Sequence, residues 1–73
     1  MNDTAEISDL IKDLRSRLGL TQEQLAARLG VTFPTVNRWE NQRAKPSKIA
    51  LKLIKAEVSQ LGVASDELLA KYF

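Results

Sequence analysis

Apolar residues recur along this chain at intervals of three and four. Ile7, Leu10, Ile11, Leu14 and Leu18 follow that spacing, which lines up side chains on one face of an α-helix and predicts a first helix from about Glu6 to Leu18. Gly19 supplies a left-handed stop, and Leu20 can cover the last turn. Thr21 and Gln24 have the spacing of a capping box, so a second helix is expected over Gln22 to Leu29. Gly30 ends it, Val31 can fold back on it, and Thr32 can cap a third helix that begins near Phe33 and runs to about Asn41. Pro34 suits a first turn, where its missing N–H is not needed and its fixed φ is already helical. The stretch Gln42 to Pro46 is polar and basic and reads as an exposed loop. After Ser47, a further cap, Ile49, Ala50, Leu53, Ile54, Val58 and Leu61 form the apolar stripe of the longest helix. Gly62 breaks it, and Ser65 or Asp66 can begin a short last helix, Glu67 to about Tyr72. No alternating strand pattern or repeat occurs, so the expected fold is all-α.

The second and third expected helices are both short and are joined by three residues, so they must cross steeply. A small residue at the crossing and a permissive turn meet that need. Ala26 stands four residues before Gly30, Leu25 and Leu29 line the inner side, Val31 seals the turn, and Val36 and Trp39 pack the third helix back. This joint spacing reads as a helix-turn-helix over Gln22 to Asn41. At about 100° per residue, turning Val36 and Trp39 inward points Pro34, Arg38 and Asn41 away and leaves Asn37 on the flank. Phe33 lies between the faces: it either fills the edge of the core or stands free beside it.

Charge gives that outward face a direction. From Arg28 to Lys55 there are seven Lys or Arg against Glu40 alone, a net +6, while each flank of the chain is net −2. A polyanion would dock centrally. With neither Cys nor His among 73 residues, disulfides, thiolate nucleophiles, imidazole bases and the common transition-metal sites are all missing. No metal or cofactor is expected, and the carboxylates, Asp9, Asp13 and Glu23 among them, form no cleft pattern, so an enzyme is not expected. No apolar run approaches the roughly 20 residues that span a bilayer, and the acidic start lacks a secretory pattern. The expectation is a soluble, cytoplasmic protein without membrane contact. The length fits one domain over residues 1–73, and Met1 with no linker composition favours a complete small protein.

The run LRSRLGLTQEQLAARLGVTFPTVNRWENQRAKPS resembles the Cro and phage-repressor type of helix-turn-helix protein, also called Xre-like, over about Ile11 to Ile54. The resemblance implies a compact five-helix bundle of the lambda-repressor kind, of bacterial, archaeal or phage origin. It implies that the third helix enters the major groove of double-stranded DNA while the start of the second faces the phosphates. Arg38 is then the first candidate for reading a base, through paired hydrogen bonds to guanine O6 and N7. Asn37 either reads adenine or binds a phosphate, Phe33 either meets a thymine methyl or completes the core, and Pro34 stands with them on the reading face. Gln22 matches the family position that holds a phosphate at the start of the second helix. Thr32, Thr35 and Asn41 are placed as positioning residues, with capping the safer role for Thr32. Arg43, Lys45 and Lys48 surround the loop and would neutralise phosphates, the alternative being a solvated basic face. Arg15 and Glu40 match an ion pair that orients the third helix. Gln42 departs from the family, many members of which have Gly there.

The function expected is sequence-specific DNA binding, most simply by a transcriptional regulator. Dimerisation through the apolar C-terminal residues Val63, Leu68, Leu69, Tyr72 and Phe73 would add affinity, unless those residues cap their own core. Two alternatives stand beside it: a helical protein-interaction module of antitoxin or coactivator type, and the DNA-targeting domain of a larger DNA-modifying protein.

Overall fold

Five helices follow one another, and at two of the junctions, Gly19 and Gly30, the helix stop expected from glycine is the stop observed. A computed structural model describes residues 4–72, with side chains over 6–62 and 65–72. The helices are α1 (Thr4–Leu18), α2 (Gln22–Leu29), α3 (Phe33–Glu40), α4 (Lys48–Ser59) and α5 (Val63–Tyr72). At Gly30 the backbone takes φ +71°, and a Cβ built there would meet nothing within 4 Å. Backbone conformation, not space, therefore calls for glycine at that turn. The Val31 N–H reaches back to the Ala26 carbonyl at 3.0 Å and the Gly30 N–H to Ala27 at 3.3 Å, the two bonds of a Schellman motif. At the other end of α2 both halves of the Thr21–Gln24 capping box form.

The core gathers one stripe from each helix: Ile7, Leu10, Ile11 and Leu14 from α1, Leu25, Ala26 and Leu29 from α2, Val36 and Trp39 from α3, Ala50, Ile54 and Val58 from α4, Leu68 and Tyr72 from α5. The main packing runs α2 on α3 and α3 on α1, with α5 covering α1 and α4. Ala26, nearly inaccessible, brings α2 close to its neighbours. Each large side chain buried in this way contributes about 1.5–3 kcal/mol, so the five stripes together hold the short helices that would not persist alone.

Three expectations are corrected. The stripe assigned to α4 is split: Ile49 is 74% exposed and Leu53 42%. The buried face centres on Ile54 with Ala50, Val58 and Glu57, and Ile49 lies about 140° round the helix from Ile54. The loop Gln42 to Pro46 is not wholly exposed, since Pro46 is buried and Ala44 packs against the core. The last helix begins at Val63, directly after Gly62, and not at Glu67. Ser65, expected as a cap, sits in its first turn, where its N–H and hydroxyl both donate to the Gly62 carbonyl, at 3.0 and 2.7 Å. Smaller differences are that α1 starts at Thr4, α3 ends at Glu40 with Asn41 as its cap, and α4 ends at Ser59, leaving Leu61 in the turn but still against the core. Of the apolar C-terminal group, Leu68 and Tyr72 are buried and Leu69 is partly buried. Phe73 and the Val63 side chain lie outside the described residues.

Candidate nucleic-acid interface

The third helix is held at both ends, by different chemistry. At its start, Thr32 caps: its Oγ1 accepts from the Thr35 N–H at 3.3 Å and lies 2.8 Å from the Thr35 hydroxyl. Pro34 follows in the first turn. At its end, the Arg43 N–H donates to the Arg38 carbonyl at 2.9 Å and the Gln42 N–H to Trp39 at 3.3 Å, a second Schellman motif. Gln42 occupies its left-handed position with φ +61°. The place where the family often has Gly thus keeps the conformation that favours Gly, and Gln42 carries the associated strain, about 1 kcal/mol.

Glu40 fixes the roll of the helix about its axis. Only 4% of its side chain is exposed, yet both carboxylate oxygens are met by Arg15: Nε donates to Oε2 at 2.7 Å and Nη2 to Oε1 at 3.0 Å. Arg15 Nη1 donates to the Leu20 carbonyl at 3.0 Å, so one guanidinium joins α1, the α1–α2 turn and α3. The hydrogen bonds that Arg15 donates to Glu40, helped by that carboxylate's charge, raise the Arg15 pKa above its ordinary value. Ser8, wholly buried, donates its hydroxyl to the Glu40 carbonyl at 2.6 Å. The Arg15–Glu40 pairing expected from the resemblance is therefore present. Nothing in the sequence marked Ser8, which reads as one more polar residue until α3 is laid across it.

With Val36, Trp39 and Glu40 turned inward, Phe33, Pro34, Arg38 and Asn41 are exposed and Thr35 and Asn37 are half-buried. Asn37 is committed at both ends of its amide. Its Nδ2 donates to Gln22 Oε1 at 3.1 Å, and its Oδ1 accepts from Asn41 Nδ2 at 3.0 Å. This chain of amides spans from the start of α2 to the end of α3. It aims Gln22 and leaves that residue's Nε2 as the free donor beside the first N–H groups of α2. Arg43, Lys45 and Lys48 are exposed on the strand of chain that leads from α3 into α4. Among the described residues, Arg38, Arg43, Lys45 and Lys48 pair with no carboxylate, so the basic surface carries uncompensated charge. Arg28, one of the seven basic residues counted in the sequence, belongs elsewhere. Its Nη2 donates to Gln60 Oε1 at 2.9 Å and stands 2.8 Å from Glu57 Oε1, so it ties α2 to α4. The Glu57 oxygen gains the charge of Arg28 without an aligned N–H.

The described residues hold no cluster of acidic residues fit for a metal, and no helix among them is long and apolar enough to cross a membrane.

A helix-turn-helix family model matches residues 11–56. The chain is 39% identical over 56 residues to the type II methyltransferase M1.ScrFI of Lactococcus lactis subsp. cremoris, covering 73% of this chain and 14% of that protein. It is 37% identical over 65 residues to the HTH-type transcriptional activator BcrR of Enterococcus faecalis, covering 89% and 30%. An uncharacterised HTH-type transcriptional regulator of Methanothermobacter thermautotrophicus is 52% identical over 40 residues, covering 55% and 58%. The chain thus spans less than two thirds of the length of these relatives. No solved structure matches it.

Proposed function

Since the chain belongs to the helix-turn-helix family of Cro and phage-repressor type, we propose that it binds double-stranded DNA sequence-specifically, in the service of transcriptional regulation, with α3 in the major groove. The observation that carries this reading is that Arg38 on α3, Arg43 and Lys45 in the loop after it and Lys48 at the start of α4 all stand exposed and without a carboxylate partner. A guanidinium without a partner on the exposed side of the helix is free to bond guanine O6 and N7 together, whereas lysines on the adjoining loop reach phosphates. Gln22, steadied by Asn37, donates to a phosphate at the start of α2. Thr32 and Thr35 cap the helix that enters the groove, and Asn41 steadies Asn37. Asn37 therefore positions Gln22, and Arg38 carries the hydrogen-bond reading.

A second copy adds affinity on paired half-sites. Among the described residues Leu68 and Tyr72 are consumed by the chain's own core, and the large apolar side chains left exposed are Phe33 on α3 and Ile49 and Leu53 on α4, the last two open to such a copy.

Selection from a random duplex pool tests the proposal. An enriched palindrome with half-sites about one turn apart supports a paired reader. No enrichment would overturn sequence-specific binding and favour the protein-interaction module. The identity to a segment of a type II methyltransferase favours a second setting for the same site, as the targeting module of a larger DNA-modifying protein, without enzymatic chemistry of its own. An enriched single half-site, without symmetry, would favour that setting.

A further inference from the structure

The first turn of α3 presents carbon where a polar reader would be expected. Phe33 is its first residue and is 44% exposed, outside the core that takes Val36 and Trp39 from the same helix. Pro34 beside it is exposed and has no N–H. The two hydroxyls nearby are occupied with each other, Thr32 Oγ1 lying 2.8 Å from Thr35 Oγ1, and the Thr35 N–H is held by Thr32. One turn later the Asn37 amide is engaged by Gln22 and Asn41. What Phe33 and Pro34 themselves can offer a base pair is an apolar contact.

Only one feature of a base edge in the major groove is apolar, the methyl group on pyrimidine C5. Thymine carries it, and 5-methylcytosine carries it at the same place. We propose that Phe33, flanked by Pro34, reads this methyl group, so that the protein distinguishes thymine from uracil and 5-methylcytosine from cytosine at one position of its site. The proposal rests on α3 lying in the major groove. Five residues separate Phe33 from Arg38, about 7.5 Å along the helix, which puts the methyl within about two base pairs of the guanine read by Arg38. Covering one methyl group with an aromatic face changes affinity about fourfold by its transfer free energy.

The test uses the duplex enriched by selection, with each thymine replaced in turn by deoxyuridine and each cytosine by 5-methyldeoxycytidine. The thymine at the responsive position is also replaced by cytosine and by 5-methyldeoxycytidine. Affinity is read by fluorescence anisotropy. The expected result is one position where deoxyuridine weakens binding about fourfold and where 5-methyldeoxycytidine binds about fourfold better than cytosine. Phe33→Ala should remove both differences while keeping the preference set by Arg38, and should melt like the parent because the side chain is exposed. Selective binding with no methyl preference at any position, or a preference that survives in Phe33→Ala, would overturn the inference and leave sequence-specific binding standing. Thymine preference without any response to cytosine methylation would overturn the cytosine half. Failure to enrich any duplex would instead overturn the function on which the inference rests.

Discussion

Seven of the eleven basic residues of this protein fall into two sets that composition cannot separate. Arg15, Arg17 and Arg28 lie against carboxylates: Glu40 at 2.7 Å, Asp13 and Glu67 at 2.9 and 3.1 Å, and Glu57 at 2.8 Å. Arg38, Arg43, Lys45 and Lys48 lie against none among the described residues. The first set joins helix to helix, as Arg15 joins α1 to α3 and Arg28 joins α2 to α4. The second lies exposed on α3, on the loop that follows it and at the start of α4. An arginine already paired must give up its partner to bind phosphate or base, and an unpaired one need not. The difference shows the first set in architecture and, on the proposed function, leaves the second for recognition, a division that substitution can break.

The largest effect is expected at Arg15. Arg15→Ala leaves the Glu40 carboxylate buried without its two donors, and stranding a buried charge costs about 3–5 kcal/mol. Because a quarter of the Arg15 side chain is exposed, the low end, about 3 kcal/mol, is expected in urea denaturation. For a domain of 73 residues that is a large share of a stability of roughly 4–11 kcal/mol. Arg38→Ala should do the reverse: the melting temperature stays, and discrimination at one base pair falls by about 1–3 kcal/mol in competition binding. If Arg38→Ala also destabilised the fold, the separation would fail. Gln42→Gly tests the loop without touching charge. Relief of a left-handed conformation should raise stability by about 1 kcal/mol, and DNA affinity should change little. Lys45→Ala should weaken all sequences alike and lower the slope of log affinity against log salt by about one unit in titrations at several salt concentrations. The smallest effect is expected for Arg28→Ala, about 0.5 kcal/mol of stability, as for a partly exposed ion pair. A loss of DNA affinity there at unchanged stability would move Arg28 into the recognition set.

Much of this is legible in the sequence alone. The three-and-four spacing of Ile7 to Leu18, the Thr21–Gln24 box, and Gly30 with Val31 specify local structure through the backbone, so their meaning survives translation into three dimensions. The inward turn of Val36 and Trp39 is likewise a matter of helical period, and it places Arg38 outside. The resemblance also carried Arg15 and Glu40 to each other across 25 residues. Other features were silent. Ile49 and Leu53 look like core because a stripe of apolar residues on a long helix is wide enough for two faces, and only the packing of α5 and α2 selects one of them. Asn37 reads as a free amide until Gln22 and Asn41 are found on either side of it.

By itself, then, the sequence determined what is local: where helices start and stop, which side of α3 faces in, and that positive charge collects in the middle of the chain. Tertiary structure decided what depends on neighbours: which cations are paired, which amides are engaged, and which apolar residues of α4 remain in solvent. The physical reason is that caps and periodicity act over one or two turns. An ion pair or a hydrogen-bond chain forms only where distant segments meet, as Ser8 meets the Glu40 carbonyl across 32 residues.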